Sequence, residues 1–347
     1  RYTRINVANI KRIEILNGAA SALYGSDAIG GVINIITDDA RNTVNVSSYT
    51  HYSGEGRLTE SVNADVNAGK FSSYTSYQRR QTGSWQNNNI DENGYETGRP
   101  TSVGFYSNTV NQRFVFNATD KLSFYARGTY FDNKTRRPQD ATYYAKSKGQ
   151  FVQKDAYTYN LKHETYTYGA GMKYMINRSA YIDAEFYSDN YSSDYMYFKK
   201  SGNYLPGDRV TRKQVRYYNG NIKGIFRLGS RNKLSAGVEY VNEGLESESD
   251  NIDSRHMYTL AFYAQDEIKL PLNLQAVLGI RYIYNENFKN YATPNVSLMY
   301  KLGGLNLRAA YAAGFRTPTL SQLYATDESK TSNRYTTGNV GLKPEKN

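Results

Sequence analysis

Apolar and polar residues alternate one for one along much of this chain. Leu274, Ala276, Leu278, Ile280, Tyr282 and Tyr284 share one side of a predicted strand, whose other side includes Asn273, Gln275 and Arg281. Tyr166, Tyr168, Ala170, Met172, Tyr174 and Ile176 repeat the pattern, as do Leu305, Leu307, Ala309, Tyr311 and Ala313. Alternation sustained over about ten residues exceeds the usual strand of a soluble sheet and matches the length that crosses a bilayer at a tilt. The pattern predicts an all-β chain built as a transmembrane antiparallel β-barrel. A soluble β-sandwich or β-solenoid is the competing architecture.

Turn residues divide the chain after Thr43 into hairpins. Short turns are predicted at Gly69-Lys70, Thr119-Asp120, Asn177-Arg178-Ser179, Ser230-Arg231-Asn232, Pro271-Leu272 and Gly303-Gly304. Long polar stretches are predicted at Gly83 to Ser102, Asn133 to Asp155, Lys199 to Arg212, Glu243 to Ser254, Asn285 to Tyr291 and Phe315 to Lys343. Every second connection is then long, the asymmetry of a barrel with tight turns at one mouth and loops at the other. About thirteen strands are expected, with a fourteenth beginning near Lys343. Because an open sheet would leave unpaired backbone groups in hydrocarbon, the barrel is expected to close.

Composition narrows the class further. The 347 residues carry a formal net charge of +11, a mean hydropathy of −0.72, 35 tyrosines and no cysteine. A soluble chain of this length usually has a larger aliphatic fraction. No apolar run is long enough for a spanning helix, whereas a barrel keeps a low mean hydropathy because only alternate residues meet lipid. Tyrosine suits the interface, with an apolar ring and a hydroxyl that seeks water. The lack of cysteine fits export. No signal peptide precedes Arg1, which reads as a start inside a domain. Lys and Arg are scattered along alternating strands rather than gathered in one stripe, so nucleic acid is not expected; a positive vestibule that attracts an anionic ligand is.

One stretch departs from the hairpin pattern. Ile10 to Thr37, IKRIEILNGAASALYGSDAIGGVINIIT, sets two β-rich runs around a small-residue bend, and Gly30 and Gly31 allow a close backbone approach before the second run. This 28-residue segment resembles the end of the plug domain in TonB-dependent outer-membrane receptors, whose usual form is close to IERIEVLRGPASALYGSGAIGGVINIITK. Departures fall at Asn17, Ala19 and Asp27; Arg12, Glu14, Gly18, Tyr24, Gly25, Gly30, Gly31 and Asn34 carry the match. The resemblance implies a plug end over residues 1–40 and a partial barrel over 41–347. Receptors of this family have about 22 strands, so roughly eight would be absent and the chain reads as an internal fragment.

A second resemblance lies near the other end. AGFRTPTLSQLY followed by GNVGLKPEKN, within Gly314 to Asn347, is similar to a family box of the form FRAP…QLY…NPNLKPE. It is shared by receptors for several ligands and also has a bland reading, in which Pro318 ends a strand and Gly338 shapes a loop. Haem receptors of the family usually carry a histidine between its halves; none occurs between Phe315 and Leu342. Tyr324 and Tyr335 offer phenolates for iron, although such loop tyrosines more often pack or hydrogen-bond. His51, His163 and His256 form no metal spacing, with His51 and His256 expected nearer the outer rim. Asp250, Asp253, Glu246 and Glu248 form an acidic loop that would either hold calcium or simply be solvated. No G-x-S-x-G, P-loop or H-E-x-x-H motif points to an enzyme.

Candidate ligand contacts are the aromatic and cationic residues of the predicted loops: Trp85, Tyr95, Arg99, Arg136, Arg137, Tyr143, Tyr144, Arg316 and Tyr324. Arginine offers a fork of donors to carboxylate or catecholate oxygens, and aromatic rings cover a flat ligand. Trp85, the only tryptophan, reads equally as an interfacial anchor. Replacing Arg316 by Ala is expected to weaken ligand capture more than barrel assembly. The resemblance implies a monomeric active transporter in the outer membrane of a Gram-negative bacterium, energised by the TonB-ExbB-ExbD complex and surrounded by outer-membrane lipid. Its expected cargo is a ferric siderophore or similar anionic iron chelate, with haem, haemoglobin or cobalamin as alternatives and no resident cofactor or metal. A passive channel and a surface adhesin are the readings from other classes.

Overall fold

The computed structural model describes residues 10–17, 31–37, 43–54, 56–83, 103–140, 142–147, 150–329 and 334–346. Strands β1 (Ile10–Asn17) and β2 (Gly31–Thr37) form an antiparallel ribbon with Glu14 opposite Asn34. Gly31 opens β2 at φ 143°, a backbone that favours glycine. Arg12 Nε donates to Glu14 Oε1 at 2.7 Å and Asn34 Nδ2 donates to Glu14 Oε2 at 3.2 Å. The hydrogen bond from Arg12 holds the Glu14 carboxyl below the usual carboxylate range. Gly18, Tyr24, Gly25 and Gly30 lie outside the described residues.

The body of the chain is a thirteen-stranded antiparallel sheet. It begins with β3 (Val44–Ser53), β4 (Arg57–Ala68), β5 (Phe71–Thr82), β6 (Gly104–Asn117) and β7 (Leu122–Arg136). A separate hairpin of β8 (Thr142–Ser147) and β9 (Gln150–Asp155) follows. The sheet resumes with β10 (Tyr159–Asn177), which pairs β7, and continues through β11 (Ala180–Tyr197), β12 (Arg209–Leu228), β13 (Asn232–Ser247) and β14 (Ile252–Lys269). It ends with β15 (Leu274–Asn285), β16 (Lys289–Leu302) and β17 (Leu305–Ala312). Beyond it come β18 (Phe315–Arg316), α1 (Leu320–Tyr324), β19 (Thr326–Ser329), β20 (Arg334–Thr337) and β21 (Glu345–Lys346). β21 pairs β18 in a separate two-stranded sheet near the place expected for a fourteenth strand, without joining the thirteen-stranded one.

All six predicted short turns fall between strands, as expected, and share one end of the sheet. At the other end two of the six predicted long stretches are corrected. Residues 243–254 and 285–291 are mostly strand: β13 and β14 are joined by four residues, and β15 and β16 by three. Glu243 and Glu246 lie in the paired β12–β13 ladder and Ser247 and Asn285 are buried, so polarity alone does not distinguish strand from loop here. Residues 133–155 enclose the β8–β9 hairpin, and 315–343 enclose the short helix and the β19–β20 pair. β3 and β17 are edge strands and the sheet is open within this chain, as expected of a partial barrel.

The two faces differ as the alternation requires. One face is an exposed apolar band: Val62, Tyr77, Val110, Phe114, Tyr166, Met172, Ile222, Phe262, Ile280 and Leu298 all stand in solvent-accessible positions. The cross-strand register aligns them, for example Val62 with Tyr77 and Tyr77 with Val110. The opposite face is polar, and the buried Ser61, Gln78, Thr109 and Thr165 lie on it in register. Glycines let tyrosines cross whole strands there. Tyr125 passes over Gly171 of β10 to donate to Glu185 on β11, and Tyr263 passes over Gly237 of β13 to donate to Asn221 on β12 at 2.9 Å. A Cβ at either glycine would stand 2.5 Å from the crossing ring.

Candidate functional site

The polar face carries an aromatic column at the end of the sheet opposite the tight turns. The short turn at Asn177–Ala180 sets the β10–β11 register, which places Tyr159 opposite Tyr197 and Leu161 opposite Tyr195. The Tyr159 and Tyr195 rings stack at 3.9 Å with 12° between planes, and Tyr197 lies edge-on to both, at 5.5 and 6.4 Å. Tyr204, from the β11–β12 connection, stacks on Tyr197 at 4.6 Å. Arginines close the column at both sides. Arg137 sits 4.7 Å from the Tyr159 ring centre and 5.0 Å from that of Tyr157, and Arg212 sits 4.9 Å from that of Tyr195. Each such contact contributes on the order of 0.5–2 kcal/mol, so together they fix the rings without a continuous core.

Hydrogen bonds orient the two guanidiniums. Arg137 Nη1 donates to the Tyr159 carbonyl at 3.1 Å, and its backbone N–H donates to Asn160 Oδ1 at 3.0 Å. Arg212 Nη1 pairs with Glu248 at 2.8 Å, and the Tyr204 hydroxyl donates to the same carboxylate at 3.3 Å. The Nε atoms of both arginines are buried without a hydrogen-bond partner. Burial pushes the Tyr195 and Tyr197 phenols above their ordinary range, so both rings stay neutral.

A clamp on the opposite face holds this end of the wall. Arg209, at the start of β12, bonds Glu164 and Asp194, each at 2.5 Å, and Lys162 and Tyr130 also reach Glu164, at 2.8 and 3.2 Å. Burial alone would raise the Glu164 carboxyl; the bonds from Lys162 and Arg209 outweigh it and hold the group below its usual range. Farther along the polar face His163 shares a 2.9 Å hydrogen bond with the Tyr191 hydroxyl, and burial lowers the imidazole. His256 is exposed on the face opposite buried Met257, and His51 lies on the edge strand β3 beside Tyr49.

The other predicted residues are distributed elsewhere. Arg136 ends β7 exposed, while Arg137, one residue on, enters the column. Tyr143 and Tyr144 lie on β8 opposite Lys154 and Gln153. Trp85, Tyr95 and Arg99 fall outside the described residues. Arg316 faces Glu345 across the β18–β21 pair, at 3.7 Å. Tyr324 ends α1 with the Arg255 guanidinium 4.9 Å from its ring centre. The surrounding box is a packed element: Phe315 is 1% exposed against Ala261, Ile283 and Tyr291, and Leu320 packs on Leu245, Ile252 and Met257. Thr319 and Gln322 cap the helix reciprocally. Gly338 allows the returning chain to touch the helix backbone, since a Cβ there would meet the Leu323 carbonyl carbon at 2.6 Å. In the acidic loop Asp250 pairs with Lys213 at 3.5 Å and accepts from Ser321 at 3.4 Å.

The alternation alone does not single out Tyr157, Tyr159, Tyr195, Tyr197, Tyr204 or Arg212 among 35 tyrosines and 43 basic residues. Counting outward from the Asn177–Ala180 pair puts Tyr159 opposite Phe198; the irregularity between Met175 and Asn177 shifts its partner to Tyr197.

A family model for the TonB dependent receptor-like beta-barrel matches residues 21–347, and one for the TonB-dependent Receptor Plug Domain matches residues 1–32. The chain belongs to the TonB-dependent receptor family. Its fold is similar to that of a mutant of the ferric enterobactin receptor PfeA from Pseudomonas aeruginosa, with a TM-score of 0.77 and 18% identity over 99% of this chain and 55% of that one. The siderophore receptor PirA from Acinetobacter baumannii gives 0.74 and 18% over 100% and 55%. The FrpB iron transporter from Neisseria meningitidis gives 0.72 and 13% over 90% and 54%. This chain therefore spans about 55% of the length of the first of these relatives. Within the receptor fold the apolar band is the lipid face, and the aromatic column stands on the lumenal face at the loop end.

Proposed function

We propose that this chain is part of an outer-membrane active transporter that captures a ferric siderophore or similar anionic iron chelate and releases it into the periplasm. Residues 1–40 act as the end of a plug and 41–347 as part of the barrel wall, with further strands pairing along β3 and β17 to close a monomeric cylinder. The driving force arrives from TonB-ExbB-ExbD at the inner membrane, and no catalysis is involved. The observation that carries the cargo is the column itself: arginines and stacked tyrosines on the lumenal wall at the loop mouth suit a flat, anionic ligand. Arg137 leads among the contacts expected from sequence, with Tyr143, Tyr144, Arg316 and Tyr324 at the same mouth. The neighbouring PfeA and PirA are siderophore receptors, and PfeA has been seen with enterobactin, which supports the same class of cargo.

The test is growth of a receptor-deletion strain, complemented with the full-length receptor, on single iron sources with and without TonB. Growth on a ferric siderophore that requires TonB is expected. Uptake that survives loss of TonB would remove the mechanism in favour of a passive channel, and growth on haem alone would remove the cargo.

A further inference from the structure

Positive charge also gathers at the other mouth of the wall, where the tight turns lie. Between the β12–β13 and β14–β15 turns is a recess of about 570 Å³ whose walls include Arg227, Arg231, Lys233, Glu267, Lys269 and Gln275. Glu267 and Lys269 share strand parity with Tyr263, which places them on the polar face, and register carries the others with them: Lys233 stands opposite Glu267, Arg227 opposite Lys233 and Gln275 opposite Lys269. Arg227 and Lys233 are therefore like charges directly across a strand pair, an arrangement that destabilises a sheet. The one carboxylate, Glu267, accepts from Lys233 Nζ at 2.8 Å; among the described residues Arg227, Arg231 and Lys269 have no carboxylate partner. The middle of the wall differs, because there Arg127 is matched by Glu185 and Arg281 by Glu239.

The backbone under these cations is fixed. The Arg227 N–H donates to the Ser179 carbonyl and the Lys269 N–H to the Arg231 carbonyl, both at 2.8 Å. Gly229 turns the chain at φ 66°, and on the reverse face Asn232 Nδ2 donates to Asp266 Oδ2 at 2.6 Å, tying β13 to β14. Four basic side chains thus surround one small volume on a braced scaffold, with a repulsion between two of them that the fold leaves standing.

We infer that this recess is an anion site, open to the periplasm, that takes a small, multiply charged oxyanion of the phosphate or polycarboxylate class. Short turns face the periplasm in outer-membrane barrels. The inference goes beyond the cargo reading, since it concerns the opposite mouth and holds whichever chelate is imported. An oxyanion between Arg227 and Lys233 turns their repulsion into two attractions; the guanidinium forks of Arg227 and Arg231 match its oxygens, Lys233 and Lys269 add point charges and Gln275 an amide donor. Glu267 opposes binding by occupying Lys233. Cations gathered around a single volume favour a compact polyanion over an acidic peptide, whose carboxylates are spread along a chain.

The test uses the full-length receptor carrying this chain in zwitterionic detergent micelles, with pyrophosphate as the probe and chloride at equal ionic strength as the control. Backbone hydrogen exchange is followed at residues 227–233 and 267–275 as the probe concentration rises. Pyrophosphate should slow exchange there with saturation, and chloride should not. Arg227→Gln and Lys269→Gln are each expected to raise the half-saturating concentration by about tenfold, the loss of one charge-assisted contact. Arg227→Lys should fall between wild type and Arg227→Gln. Glu267→Gln should lower the half-saturating concentration by about threefold, a gain that misfolding cannot imitate. Heat-modifiable gel migration confirms assembly of each variant. Equal slowing by chloride, which is screening alone, overturns the inference, as does a half-saturating concentration that no substitution moves. Slowing by a polyglutamate peptide but not by pyrophosphate overturns it in favour of an acidic protein partner. Failure of TonB-dependent iron uptake would end the siderophore reading and leave the anion site standing.

Discussion

Two regions at the loop mouth combine tyrosine with arginine and behave oppositely. In the box around α1 most of the described distinctive residues are spent on packing: Phe315 stacks beside Tyr291, Leu320 and Leu323 are buried and Arg255 covers Tyr324, while Arg316 faces Glu345 in an exposed pair. In the column between β10 and β12 the rings are ordered by one another, and the two arginines retain unpaired donors. The recognisable motif marks the segment that folds back onto the lumenal wall. Under the proposed function the column, of which Arg137 is the residue also expected from sequence, is the surface that meets the ligand.

The comparison breaks first at Phe315. Phe315→Ala is expected to cost about 3–5 kcal/mol of local packing, because the ring is buried between Ala261, Ile283 and Tyr291. Limited proteolysis should then cut within residues 315–344 while the barrel still migrates as folded. Resistance equal to wild type would show that the box is not held by this ring. Arg137→Gln should do the reverse, with lost binding and unchanged protease resistance. Arg316→Ala tests the boundary between the regions. Its pair with Glu345 is exposed and contributes about 0–1 kcal/mol, so protease resistance should barely move and chelate affinity should fall less than in Arg137→Gln. A larger binding loss at Arg316 would shift the centre of capture from the column to the box.

The smallest effect concerns His163. Burial lowers its pKa, so the folded chain binds fewer protons than the unfolded one as pH drops through the ordinary imidazole value near about 6.5. Stability contributed at this corner is therefore present above that value and is lost as pH falls below it. The thermal midpoint should decline between pH ~7 and ~5, and His163→Gln should flatten part of the decline. Identical pH profiles for the two proteins would remove the histidine from this account.

Much of the fold was legible because its cause is local. Period-two alternation in Leu274 to Tyr284 and turn residues such as Pro271-Leu272 and Gly303-Gly304 fix strands and their ends without reference to distant residues. The failures have one cause. Glu243 to Ser254 and Asn285 to Tyr291 are polar enough in sequence to predict loops, yet both are largely paired strand whose few apolar residues, Leu245, Ile252 and Tyr291, pack against the segment that follows β17. The site was less legible, since Arg137 was visible as a loop cation but its partners depend on register across β10 and β11 and on a bulge between Ser193 and Asp194. Tyr125 crossing Gly171 is likewise invisible until three strands are aligned.

The most direct test of the account is uptake of radiolabelled iron, supplied as a ferric tris-catecholate, by cells carrying the full-length receptor with wild-type or Gln at position 137, each with and without TonB. The account predicts uptake only with TonB, reduced by about tenfold in the Arg137→Gln variant at subsaturating chelate. TonB-independent uptake, or TonB-dependent uptake equal in the two proteins, would contradict it.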